Sequence, residues 1–188
     1  MYTVLDRSEL ERQFGNLYLS LYSGVKPRRS SFCNQEWRFL LTTRNFLRDK
    51  GKFQALCEAA SVVNEAKIII TEVQESPFHR WSVVIPYDYD SYSTALRSKE
   101  SGALLGTNKA IFGGHGTFAA IIDEGQQFIL GYTIFGGVKE FIESWAGSLG
   151  GTDSIREEFE KTLELPSSWS KSQIDEDLKV GLLSDVGW

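Results

Sequence analysis

Residues that bind metals or carry redox chemistry are scarce in this chain: its 188 residues include two histidines, two cysteines and one methionine. Cys33 and Cys57 allow at most one bridge and have neither the CxxC nor the Cys/His spacing of a metal or redox site, so both are expected as reduced thiols. His79 and His115 have no companion ligands nearby in sequence, so no zinc centre is expected, nor any other metal or cofactor. No run approaches the roughly 18 apolar residues of a membrane span. The opening stretch, MYTVLDRSELERQ, is charged from Asp6 and has no apolar core, so it does not read as a signal peptide and a cytoplasmic protein is expected. Tandem repeats of solenoid period are also missing.

What is present suits one globular domain. Hydrophobic residues at 41% and charged ones at 24% suffice for a sizeable core without a covalent staple, so residues 1–188 are expected to form a single unit. The net charge of −5 is unevenly placed: residues 139–188 hold 11 acids against 5 bases, while Lys26 to Lys52 holds eight bases against two acids. A basic segment and an acidic tail are either two interaction faces or partners of each other.

Hydrophobic period organises the middle of the chain. Thr117 to Asp123 and Gln126 to Thr133 are β-rich runs separated by Glu124-Gly125, which predicts a tight hairpin. From Val138 the period changes: Val138, Phe141, Ile142 and Trp145 mark one face of a helix. Ser8 and Glu11 fit a capping box for an N-terminal helix from Ser8 to Ser23, within an N-terminal segment 1–24. A basic loop, Val25 to Gln35, precedes a strand at Trp37 to Thr43 and a helix at Lys52 to Glu65. Strands follow at Lys67 to Val73 and Trp81 to Ile85, joined by a turn at Ser76 to Arg80, with a short helix around Thr94 to Lys99 and another strand at Lys109 to Phe112. Residues 37–149 are thus expected to hold the sheet and central helix, and 152–188 an acidic helical C-terminal segment. The fold class is α+β: a mixed or antiparallel sheet of about five to six strands, helices packed on one face, and that helical segment behind. Ile111 to Gly114 recurs as Ile134 to Gly137, which reads as two strands leaving the sheet through glycines.

No motif has the context its chemistry needs. Gly114-His115-Gly116-Thr117-Phe118-Ala119 has the form GxGxxA, but a strand rather than a helix follows it. Ala146 to Gly150 imitates a nucleophile elbow around Ser148, yet it follows a helix and both histidines precede it. Cys33 and Arg38 are one residue too close for a phosphate-cradling loop, and Cys57 sits on an apolar helix face. His115 is the best single residue for chemistry: flanking glycines would admit a substrate, and Asp123, Asp88 or Asp90 would have to orient it. The basic segment, with Phe32, Trp37, Phe39 and Phe46, has the composition of a nucleic-acid surface, which the pI near 5.2 argues against.

Tyr87, Asp88, Tyr89, Asp90 and Tyr92 form the patch best suited to recognising a protein: stiff aromatic area beside carboxylates that pair with lysine or arginine. Asp175, Glu176 and Asp177 are a second acidic candidate. The unit from Lys109 to Leu149, above all Val138-Lys139-Glu140-Phe141-Ile142 opening a helix after a strand pair, resembles the later half of bacterial toxin-immunity proteins of the SUKH type. That resemblance implies a cytoplasmic binding protein, with no catalytic residue, that neutralises a cognate toxin by occluding its active or binding surface. A cationic toxin domain would suit the charge. The alternatives are a small enzyme using His115 on a phosphorylated or nucleotide substrate held by Arg28, Arg29 or Arg38, and an adaptor or structural interaction protein. Oligomeric state is not legible in the sequence.

Overall fold

The computed structural model describes residues 1–24, 26, 28–43, 49–72, 81–97, 108–123 and 132–164. In chain order the elements are β1 (Thr3–Asp6), α1 (Arg7–Leu21), a 3₁₀ turn (Arg29–Ser31), β2 (Arg38–Thr43), α2 (Lys50–Val62), β3 (Lys67–Glu72) and β4 (Trp81–Pro86). Then come α3 (Tyr89–Arg97), β5 (Lys109–Gly113), β6 (Phe118–Asp123), β7 (Tyr132–Gly137), α4 (Lys139–Ser148) and α5 (Thr152–Glu164). No helix among the described residues is long and apolar enough to cross a membrane.

All seven strands form one antiparallel sheet in the order β1-β4-β3-β5-β6-β7-β2, so the first 43 residues supply both edges. Side chains alternate between its faces with period two. Ile68, Ile70, Ile111, Ala120 and Phe135 face one core, and Ile69, Phe112, Ala119, Ile121 and Ile134 the other. Because both faces are buried, β3, β5 and β7 read as nearly unbroken apolar runs.

The α+β class and antiparallel pairing follow the sequence expectation, with two additions. Among the described residues the sheet has seven strands, wider than five to six. Helices also lie on both faces: α2 to α5 cover one, while α1 packs Leu10, Phe14, Tyr18 and Leu21 on the other. Tyr22 anchors that second layer, its hydroxyl donating to the Ile111 carbonyl at 2.8 Å, with the Ala120 carbonyl at 3.1 Å.

Several boundaries move. The capping box belongs to Asp6 and Glu9, not Ser8 and Glu11: Glu9 N–H donates to Asp6 at 2.9 Å and Asp6 N–H to Glu9 at 3.0 Å. The partner of β6 is described from Tyr132 and runs on to Gly137, past the expected end at Thr133, in a register from Phe118↔Gly137 to Asp123↔Tyr132, while residues 126–131 of the expected strand lie outside the described residues. Consequently Ile134 to Gly137 lies within the sheet, and Gly136 is small for a packing reason: a Cβ there would press on the Phe39 and Trp37 rings at 2.8 and 2.9 Å. The helix expected at Thr94 starts at Tyr89. The turn at Ser76 to Arg80, the Glu124-Gly125 turn, and the 170–188 segment with Asp175, Glu176 and Asp177 fall outside the described residues.

Candidate functional site

Both places singled out in the sequence lie at one end of the sheet, where β4 and β5 end and β3 and β6 begin. The first is the turn Gly114-His115-Gly116-Thr117. Glu65, between α2 and β3, is 4% exposed and points its carboxylate into this turn. It accepts from His115 N–H at 2.9 Å, Thr117 N–H at 3.0 Å and the Thr117 hydroxyl at 2.7 Å. Gly116 has φ +76°, the left-handed conformation that glycine adopts without strain. Gly113 has no Cβ because one would land on the Glu65 carboxylate.

The glycine turn is therefore an anion cradle that the chain fills with its own carboxylate. Those amides cannot also hold a substrate phosphate or an oxyanion, which removes the chemical basis of both the oxyanion-loop and the dinucleotide likeness. His115 itself is exposed, with Nδ1 3.7 Å from Glu65, beyond hydrogen-bond reach. Asp123 pairs with Tyr132 at the far end of β6 and cannot orient it. The carboxylate beside His115 is Glu65, which no local sequence pattern reveals.

The second place is a cleft of about 340 Å³ between α2 and the β4–α3 junction. Lys50, Phe53, Gln54, Cys57 and Glu58 line one side, at spacings that put them on one face of α2. Tyr87, Asp88, Tyr89 and Asp90 line the other. One cation and three carboxylates give the lining a formal charge of −2. Sequence reasoning picked out the Tyr-Asp side and missed the α2 side, although the helical spacing was available.

Individual roles differ within the patch. Tyr92 is a core residue and no surface contact: it is 2% exposed and stacks on Phe53 with ring centroids 4.5 Å apart. Tyr89 is partly buried against Phe53 at 5.7 Å, and the Lys50 ammonium lies 5.7 Å from the Tyr89 ring centroid. Such a cation–π contact contributes about 0.5–1 kcal/mol at an exposed site. The Tyr87 hydroxyl is buried with no hydrogen-bond partner among the described residues. Burial raises its pKa far above the ordinary tyrosine value, and the Glu65 charge adds to this.

Asp88 caps α3, accepting from Asp90 N–H at 3.2 Å and Ser91 N–H at 3.0 Å. Hydrogen bonds from Ser91 hold its carboxyl below the usual carboxylate range. Asp90 and Glu58 are exposed at the rim. Cys57 is part of the wall and no nucleophile, because burial, with the Glu58 and Asp88 charges, pushes its thiol up to about 12.

The remaining candidates stay apart. Ser148 ends α4 and its hydroxyl donates to the Ser144 carbonyl at 3.0 Å, the behaviour of a helix C-terminus. Arg29 donates to the Gln35 carbonyl at 2.9 Å and lies over the Phe39 ring, while Arg28, Arg38 and Cys33 are exposed. Among the described residues no group of three or more His, Cys, Asp or Glu side chains is placed to hold a metal ion. No family model matches the chain, and no curated protein or solved structure matches it.

Proposed function

We propose that this chain is an immunity-like binding protein of the cytoplasm, which neutralises a cognate cationic toxin domain by covering its active or binding surface. The observation that carries the reading is the α2–α3 cleft, an aromatic-walled recess with a carboxylate rim. Aromatic residues at such a recess supply contact area at small entropic cost, and the rim charges steer a basic partner and speed encounter. Two free cysteines fit a reducing compartment. The switch from β7 to α4 at Val138 is the strand-to-helix change on which the likeness to SUKH-type immunity proteins rests. The enzyme alternative has less support, since Glu65 occupies the donors that a substrate anion at His115 would need.

Growth rescue tests the reading. A toxin encoded beside this chain's gene should arrest growth when expressed alone, and co-expression of this chain should restore it. Charge reversal at the exposed rim, Glu58→Lys with Asp90→Lys, should abolish rescue by weakening the complex by more than about 2 kcal/mol while leaving the fold intact. Failure of the unaltered chain to restore growth would overturn the proposal.

A further inference from the structure

We infer that the α2–α3 cleft is a receptor for one arginine side chain of the partner, and that Lys50 occupies its cation position in the unbound protein. This rests on the binding reading above and specifies its chemistry. Three features of the recess match a guanidinium group. The Tyr89 ring already has a cation within the range of a cation–π contact, 5.7 Å from its centroid, so the face suits a flat cation stacked upon it. Tyr87 adds a second aromatic residue to the lining beside Tyr89, its hydroxyl being turned away from solvent. Asp90 and Glu58 at the rim supply carboxylates for the remaining donors, whereas Asp88 is engaged with the first turn of α3.

The deeper wall suits the rest of an arginine. Phe53 and the neutral Cys57 thiol form an apolar surface against which a methylene stem can lie. Lysine presents a compact ammonium that cannot stack and reach two acceptors together, so arginine is the better occupant. Lys50 is exposed and stands at the first residue of α2, from which it can swing away without disturbing the helix.

Titration of the full-length chain, labelled with nitrogen-15, with Nα-acetyl-arginine amide reads this directly. Saturable, millimolar shifts are expected, concentrated in residues 50–58 and 87–90. The lysine analogue should bind about tenfold more weakly, and the neutral citrulline analogue should not saturate. Lys50→Met should tighten arginine binding about threefold by removing the competing charge. Tyr89→Leu and Asp90→Asn should each weaken it, with unchanged circular dichroism establishing that both variants fold. Equal binding of citrulline and arginine, shifts centred elsewhere, or no effect of Lys50→Met would overturn the inference. Loss of arginine binding alongside intact growth rescue rejects the arginine pocket alone; arginine binding without rescue rejects the immunity reading alone.

Discussion

Glu65 holds the glycine turn to the body of the molecule, and its removal strands the amides of His115 and Thr117. Glu65→Ala should therefore cost about 2–4 kcal/mol in urea denaturation, far more than a surface carboxylate. Gly113→Ala should cost about 1–3 kcal/mol, because the new methyl meets the same carboxylate. In the Glu65→Ala background that cost should shrink by more than about 1 kcal/mol, since the obstructing group is gone; strict additivity of the two changes would contradict the cradle. At this scale the sequence pointed to His115 and passed over Glu65. The reason is physical: Glu65 pairs with backbone amides 50 and 52 residues away, and neither spacing nor composition records a long-range partner of that kind. Tyr92 misled for a related cause, because a tyrosine at a helix start looks the same in sequence whether its ring turns outward or stacks on Phe53.

Elements were read more successfully than their ends. Long apolar runs such as Lys67–Glu72 and the helical stripe of α4 announce themselves, whereas four-residue β1 is too short to show a period. The β6 partner was ended too early, at Thr133: Ile134 to Gly137 pair with β2 on the other edge as well as with β6, which a glycine-ended run does not announce. The cleft was half legible: the Tyr-Asp stretch stood out, while its α2 wall depends on how two helices meet. Removing the Asp6 cap by Asp6→Ala should cost about 1 kcal/mol, whereas Ser8→Ala should be nearly silent, a comparison readable from thermal melts. Asp88→Ala should fray α3, which is why Asp90 and Glu58 are the cleaner probes of binding. Thiol titration of the native protein at pH 8 should report Cys33 promptly and Cys57 only after unfolding, since Cys57 is buried in the α2 wall.

For the whole molecule, two faces sealed by helices bring groups into the core that resist losing a proton. Burial pushes Tyr18 up to about 12 from 10.0 and Cys57 up to about 12 from 9.0, and raises Tyr22 well above 10.0. In each case the unfolded chain releases its proton first, so the folded state binds more protons and stability falls as pH rises. The midpoint of thermal unfolding should thus decline from about pH 9 upward, and Tyr22→Phe should flatten that decline while lowering stability by about 1 kcal/mol through its lost hydrogen bond. A midpoint independent of pH between 9 and 11 would count against these buried groups. Charge also matters at this scale. The chain carries a net −5, and a concave acidic site adds a local field suited to drawing in a basic partner. Hydrogen exchange on this chain alone and in complex with the basic partner proposed for it tests that account most directly: protection is predicted in residues 50–58 and 87–90, and protection centred on the His115 turn, with that cleft unchanged, would contradict it.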